Sequence, residues 1–138
     1  MRKFIAPVLF AAFAVNAFAA QPDADAVQKA QQAAESWLAL VDSSQYSATW
    51  DEAAAPFKSA ISKSDWEAAV RAARAPAGQL ENRVLISAAY SDHLPGAPAG
   101  EYVVIQYKTR FGQTSAIETV TPTKDADGVW RVSGYFIK

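Results

Sequence analysis

The chain has 138 residues, with 13 basic side chains, 14 acidic side chains and no cysteine. Its lysines and arginines are scattered, whereas binding to nucleic acid or to an anionic membrane needs a clustered basic surface, so we exclude both kinds of partner. A chain of this size forms one domain and buries about 60 to 70% of its unfolded surface, enough for stability without disulfides.

The N-terminus has the pattern of a secretory signal peptide. Two of residues 1–3 are basic, residues 4–15 form an apolar run, and Ala17-Phe18-Ala19 is a small-x-small cleavage site. The run is shorter than the roughly 20 residues of a membrane-spanning helix, and Pro7 interrupts it. We therefore predict cleavage rather than a retained anchor.

Cleavage after Ala19 defines a signal peptide over residues 1–19 and a single domain over residues 20–138. The loss of Arg2 and Lys3 leaves 11 basic and 14 acidic side chains, a mild negative charge that favours solubility. Without cysteine, the chain has no site for a lipid anchor after cleavage. We expect a soluble protein, periplasmic or secreted, with no membrane partner.

The first half of this domain has helical periodicity. Apolar residues recur every three or four positions from about Asp25 to Val41 and predict one long helix. Tyr46 and Trp50 lie four residues apart and predict a single helical turn. Pro56 can open another short helix that ends near Ile61, because proline is tolerated in a first helical turn.

A further helix is predicted from a capping box, Ser64-Asp65-Trp66-Glu67. In this pattern the serine and glutamate side chains satisfy each other's unpaired backbone amides, so the helix should begin at Asp65. Pro76 and Gly78 should end it. Its predicted buried stripe comprises Trp66, Ala69, Val70 and Ala73.

After Gly78 the apolar period shortens to two, which is typical of strands. Alternation predicts strands over residues 83–90 and 103–108, a third from about Ser115 to Thr121 and a fourth from Val129 to Ile137. Val84, Ile86, Ala88 and Tyr90 are expected on one face of the first strand, and Trp130, Val132, Gly134 and Phe136 on one face of the fourth.

Turn residues separate the predicted strands. Asp127-Gly128 suits a hairpin, and Gly134 can mark a bulge. The stretch HLPGAPAG, residues 93–100, should connect the first two strands, because its prolines cannot join a central ladder. His93 is the only histidine of the chain. With no orienting carboxylate and no further ligands at workable spacing, it predicts neither a general base nor a metal site.

Glu118 is a polar residue that the strand pattern places on the inward face of the sheet. It shares its predicted strand face with Ala116 and Val120, which tilts it inward. It can be a functional carboxylate, the partner of an arginine such as Arg83, or an exposed charge on an edge strand.

Helices followed by four antiparallel strands predict an α+β domain, with the N-terminal helices packed on a curved four-stranded sheet. This order resembles the cone of the nuclear-transport-factor-two-like, or cystatin-like, fold. The resemblance is sharpened by AAESWLALVDSSQYSATWDEAA, SDWEAAVRAARAPAGQLENR and LPGAPAGEYVVIQYKTRF with ETVTPTKDADGVWRVSGYFIK. Together these stretches are similar to the secreted bacterial family of domain of unknown function 4019, a resemblance that implies no activity.

The sequence favours a non-enzymatic protein, because it lacks a nucleophile elbow, a phosphate-binding loop and a calcium motif. We expect a periplasmic binding or accessory protein for a small apolar or aromatic ligand, with no cofactor and no metal. The aromatic and polar candidates for ligand binding are Trp50, Trp66, Tyr107, Glu118 and Tyr135. The pattern nevertheless favours a helix-on-sheet core over a ligand cage for all four tryptophans, Trp37, Trp50, Trp66 and Trp130.

Two alternatives remain open. One is a small cofactor-free isomerase or hydrolase, in which Glu118 is the acid or base and Tyr107 or Tyr135 is a donor. The other is a homodimer that pairs through its sheet. The dimer would use the face formed by Tyr102, Val104, Gln106, Lys108 and Arg110.

Overall fold

The computed structural model describes residues 22–138 as helices followed by strands. The helices are α1 (Pro22–Asp42), α2 (Tyr46–Asp51), α3 (Ala55–Ala60) and α4 (Lys63–Arg74). The strands are β1 (Leu80–Ser91), β2 (Tyr102–Phe111), β3 (Ser115–Lys124) and β4 (Trp130–Ile137).

The four strands form one open antiparallel sheet in the order β1-β2-β3-β4, so the predicted α+β class is confirmed. The predicted signal peptide and its cleavage site lie outside the described residues. Among residues 22–138, no helix combines the length and apolar character needed to cross a membrane.

Helix α1 lies across one face of the sheet and contacts all four strands. Its buried stripe consists of small alanines in the first half, such as Ala30 and Ala34, followed by Trp37, Leu38 and Val41. Alanine leaves room for the helix to approach the sheet, and the larger side chains fill the core. The sheet contributes Val103, Ile105, Tyr107, Val120, Trp130 and Val132 to this core.

Thr49 on α2 ties the short helices to α1. Its carbonyl accepts a hydrogen bond from Trp37 Nε1 at 2.8 Å, and its hydroxyl accepts one from Trp66 Nε1 at 2.9 Å. Thr49 is fully buried, so the two indole N–H groups find their partners inside the protein. The tryptophans of α1 and α4 are therefore structural anchors.

The start of α4 differs from the prediction. Ser62, not Ser64, is the N-cap residue: its backbone is extended and its Oγ accepts from the backbone N–H of Asp65 at 3.2 Å. The helix begins at Lys63, two residues before the predicted start. Ser62 stands three residues before Asp65, so Ser62-Lys63-Ser64-Asp65 is a second capping pattern that overlaps the predicted one. The structure uses this earlier pattern.

A bulge in β1 overturns the predicted alternation of that strand. Leu85 pairs with Tyr107 and Ser87 with Gln106, so Ile86 is an extra residue. Val84 and Ala88 consequently lie on opposite faces, since their partners are the exposed Lys108 and the buried Ile105. The prediction that Val84, Ile86, Ala88 and Tyr90 share one face is wrong.

A second bulge lies in β4 beside Gly134, close to the predicted position. Thr121 pairs with Gly134 and Pro122 pairs with Val132, which leaves Ser133 extra. The side chains beyond the bulge therefore change faces: Phe136 is 60% exposed, whereas Tyr135 packs against the core. The predicted face of Trp130, Val132, Gly134 and Phe136 is correct only up to Val132.

This bulge accommodates a proline in a central strand. Pro122 has no N–H for the ladder, and the carbonyl of Val132 accepts from the backbone N–H of Ala54 at 2.8 Å. Ser133 Oγ donates to the carbonyl of Thr121 at 2.7 Å. The backbone groups around Pro122 are thus satisfied from outside the ladder.

The connectors match their predicted places. HLPGAPAG lies between β1 and β2, with His93 exposed. Gly128 in the β3–β4 hairpin has a φ of 81°, which favours glycine. The β1–β2 connector also covers part of the proposed dimer face, because Tyr102 is buried and donates to the carbonyl of Pro98 at 2.6 Å.

Candidate functional site

Glu118 lies on the helix-facing side of β3 and is completely buried. Its Oε1 accepts hydrogen bonds from Arg83 Nε at 2.8 Å and from Thr109 Oγ1 at 2.5 Å. Its Oε2 accepts from the hydroxyl of Tyr135. Of the three roles open to Glu118, the structure shows the one in which Arg83 is its partner.

The ion pair continues to the C-terminal ends of α1 and α4. Asp42, the last residue of α1, accepts two hydrogen bonds from Arg83 at 2.8 and 2.9 Å and one from Arg74 at 2.9 Å. Positive and negative groups therefore alternate from Arg74 through Asp42 and Arg83 to Glu118. We call these four residues the ion-pair cluster.

The charges of the cluster stabilise one another. Burial alone would raise the pKa of Asp42, but the hydrogen bonds and charges of Arg83 and Arg74 outweigh it and lower that pKa below 3.8. For Arg83, burial would lower the pKa, but hydrogen bonds to Asp42 and Glu118 raise it. Both side chains are therefore charged at neutral pH.

The two predicted tyrosines lie beside this cluster. Burial, followed by the negative charge of Glu118, raises the pKa of Tyr135 well above its usual value. Tyr107 is the register partner of Glu118; burial raises its pKa, and its buried hydroxyl has no partner within residues 22–138. A phenol with a raised pKa is a poor proton donor in catalysis.

The structure separates the two predicted tryptophans from the carboxylate. Trp66 is buried, donates to Thr49 and makes an edge contact with Phe57 at 4.8 Å between ring centroids. Trp50 is half-buried, and its Nε1 donates to the carbonyl of Ile61 at 3.0 Å. Of the five predicted site residues, Tyr107 and Tyr135 both adjoin Glu118, while the indoles hydrogen-bond elsewhere.

A groove that the sequence did not indicate opens between α1 and the start of β4. We call it the α1–β4 groove; its volume is about 520 Å³. Its lining is largely apolar, and Glu52 and Arg131 flank it. The large apolar residues that line it are Trp37, Leu40, Val129, Trp130 and Val132.

The polar side of this groove is held in place by an ion pair. Arg131 contacts Asp125 at 3.0 Å and Asp127 at 2.9 Å. Hydrogen bonds from Arg131 and from the Val129 amide lower the pKa of Asp127 to about 2. Asp125 also accepts from the backbone N–H of Ala55 at 3.3 Å, which joins the β3–β4 hairpin to the start of α3.

Sequence reasoning missed the groove because its walls come from distant parts of the chain. Trp37 and Trp130 are 93 positions apart and were both interpreted as core residues. Each lines the groove although it is largely buried, with exposures of 3% and 8%. No local pattern distinguishes such a residue from a fully enclosed one.

A comparison with known protein families finds a match that includes both the cluster and the groove. The family described as "Protein of unknown function (DUF4019)" matches residues 33–135, about three quarters of the chain. The chain belongs to this family. The part that matches DUF4019 contains the ion-pair cluster and the α1–β4 groove. No curated protein and no solved structure matches the chain.

Within residues 22–138, no group of three or more histidine, cysteine, aspartate or glutamate side chains is arranged to hold a metal ion. The carboxylates of the cluster and of the hairpin are engaged by arginines instead.

Proposed function

We propose that this member of the DUF4019 family is an exported binding or accessory protein that holds a small apolar or aromatic molecule in the α1–β4 groove. The observation that supports this function is the groove itself. Its volume of about 520 Å³ falls in the range of about 300 to 1,000 Å³ that is typical of small-ligand sites. Indole and aliphatic walls favour an apolar body through the hydrophobic effect.

Glu52 gives the groove a polar group that can orient a ligand. Its side chain is exposed and makes neither a hydrogen bond nor an ion pair within the described residues. Arg131, on the same lining, is already engaged by Asp125 and Asp127. A ligand with an apolar body and one hydrogen-bond donor therefore matches the groove best.

The surroundings of Glu118 favour binding over the isomerase or hydrolase alternative. Both of its oxygens accept hydrogen bonds, and the side chain has no contact with solvent. A general acid or base must come within hydrogen-bond reach of the substrate. In this arrangement Glu118 holds Arg83 in place and reaches no ligand.

Export is proposed from the N-terminal pattern alone. A basic start, an apolar run and Ala17-Phe18-Ala19 are the parts that a signal peptidase requires. The periplasm or the cell exterior is therefore the compartment in which we place the ligand.

Binding can be tested with N-phenyl-1-naphthylamine, a neutral apolar dye whose fluorescence rises in an apolar environment. We expect saturable binding to the purified protein. Ala48 lines the groove and is partly exposed, so Ala48→Leu fills the space without entering the core. This variant should weaken dye binding at least about fivefold, the effect of steric exclusion from a small site.

Ala68→Leu is the matched control, because Ala68 is exposed on α4 and lines neither the α1–β4 groove nor any wall described above. It should bind the dye as the wild type does. The proposal fails if the wild type shows no saturable binding, or if Ala48→Leu and Ala68→Leu bind equally well.

A further inference from the structure

We propose that the outer edge of β1 pairs with the same edge of a second copy of this chain, which joins the two sheets into one continuous sheet. Within residues 22–138, β2 is the only strand that neighbours β1. An edge strand directs alternate backbone N–H and C=O groups away from its neighbour, where another strand can bind them. The inference does not depend on the proposed function, because no residue of β1 lines the α1–β4 groove.

The backbone of β1 is free on its outer side. Within the described part of the chain, residues 81–90 make no backbone hydrogen bond outside their ladder with β2. The opposite edge of the sheet differs, since the carbonyl of Val132 on β4 accepts from the backbone N–H of Ala54 at 2.8 Å. The segment before α3 therefore covers part of the β4 edge, whereas the β1 edge is open.

The side chains along this open edge are apolar. Seven large apolar side chains of residues 22–138 are exposed, and four of them lie on β1, namely Leu80, Val84, Leu85 and Ile86. Val84 pairs with the exposed Lys108 and Leu85 with the buried Tyr107, so the apolar surface extends over both faces of the strand. A long, exposed apolar edge is a site at which another strand pairs.

The charge pattern of β1 matches a second copy of the chain. Residues 84–91, VLISAAYS, contain no charged side chain. Residues 80–91 contain neither lysine nor proline, which commonly protect edge strands, and Arg83 is turned inward to Asp42 and Glu118. Two antiparallel copies of β1 therefore place apolar side chains opposite each other without opposing like charges.

The ion-pair cluster prepares β1 for this pairing. Arg83 binds Glu118 on β3 and Asp42 on α1, which fixes the middle of β1 on the domain. A strand that is already held extended loses little entropy when it pairs. A two-fold axis beside Ile86 also sets the bulge of one copy against that of the other, so both strands have the same local twist.

Pairing through β1 ends at two chains. A two-fold dimer uses both β1 edges at once and leaves the β4 edges at its two ends, where Ala54 donates to Val132. The dimer is therefore a closed assembly. Its interface also differs from the sheet face of Tyr102, Val104, Gln106, Lys108 and Arg110 that the sequence suggested.

The oligomeric state of the purified protein tests the inference. Analytical ultracentrifugation over a wide concentration range should show the mass of two chains at high concentration and reversible dissociation on dilution. Hydrogen exchange of the wild type at both ends of this range gives the location. Backbone amides within residues 83–90 should exchange more slowly in the dimer, because the outward N–H groups gain partners.

Leu85→Lys should weaken dimerisation by about tenfold or more, since two like charges then meet close to the two-fold axis. Phe136→Lys is the matched control. Phe136 is 60% exposed and lies in one row with Thr119 and Gln106 on the sheet face that the helices leave uncovered. This variant should dimerise as the wild type does. Both should keep the circular-dichroism spectrum of the wild type, because both side chains are exposed.

Three results would overturn the inference. One is a monomeric mass up to the highest concentration at which the protein stays in solution. Another is a dimer that Phe136→Lys weakens as much as Leu85→Lys or more, which would place the interface on the sheet face. The third needs no variant: a dimer in which residues 83–90 exchange as fast as in the monomer.

Discussion

Asp42 is the residue at which three elements of the fold meet. Its carboxylate joins the end of α1 to Arg74 on α4 and to Arg83 on β1. A buried ion pair contributes little net stability compared with an apolar pair, but removing one partner leaves an uncompensated charge. The cluster therefore specifies how the helices sit on the sheet, and each member depends on the others.

We predict that Asp42→Asn lowers the free energy of unfolding by about 3 to 5 kcal/mol at neutral pH, because two guanidinium groups lose their shared anion. The lowered pKa of Asp42 means that its stabilisation is present above 3.8 and is lost as the pH falls through the folded-state pKa. The difference in the free energy of unfolding between wild type and Asp42→Asn should therefore narrow below pH 3.8. Urea melts across the acid range measure it.

Asp51→Asn is the control for this series. Asp51 forms an exposed ion pair with Lys63 at 2.9 Å, and exposed pairs contribute little to stability. The predicted pH dependence would be contradicted if the free energy of unfolding of wild type and Asp42→Asn differed by the same amount from neutral to strongly acidic pH.

At the scale of elements, nearby side chains set where a helix begins, whereas pairing with the neighbouring strand sets the face on which a strand residue lies. Ser62 starts α4 through its own hydroxyl, an interaction within one turn of chain. The bulges at Ile86 and Ser133 instead reverse which side chains point inward. Alternation along a strand assumes an unbroken register with its neighbour, and a bulge breaks that assumption.

The corrected helix start can be tested at Ser62 and Ser64, two serines that lie two positions apart. Ser62→Ala should lower the free energy of unfolding by about 1 kcal/mol, because it removes the acceptor of the Asp65 amide. Ser64→Ala should change it by less than about 0.5 kcal/mol, since Ser64 is exposed inside the first turn. Denaturant melts compare them, and a larger effect at Ser64 would restore the capping box at Ser64-Asp65-Trp66-Glu67.

At the scale of the whole molecule, helices cover one face of the sheet, and several grooves open along their edges. The α1–β4 groove is mainly apolar, whereas a second groove, between the C-terminal ends of α1 and α4, is lined by Arg71 and Arg74. The interior between helices and sheet is filled by the core and by the ion-pair cluster. The two grooves beside α1 therefore differ in the chemistry of their walls.

Export is the prediction that concerns the entire chain. Expression of the complete sequence in a bacterium with a periplasm should yield exported protein that begins at Ala20, because Ala17-Phe18-Ala19 follows an apolar run. Intact-mass analysis of the periplasmic fraction reads the first residue directly. A mass that retains residues 1–19 would contradict both cleavage and the proposed compartment.

Periodicity, capping residues and turn residues are local, and from them the sequence by itself determined the α+β class, the order of the elements and the connector role of HLPGAPAG. The inward tilt of Glu118 was also readable, because Ala116 and Val120 flank it on a regular stretch of β3.

Only the tertiary structure decided what those residues contact. The choice of Arg83 as the partner of Glu118 depends on β1 and β3 lying on either side of β2, which brings together two residues 35 positions apart in sequence. The indole N–H groups of Trp50 and Trp66 likewise donate to a carbonyl and a hydroxyl from other segments of the chain. Both grooves arise where α1 meets distant elements, and such surfaces are set by long-range packing that no local pattern encodes.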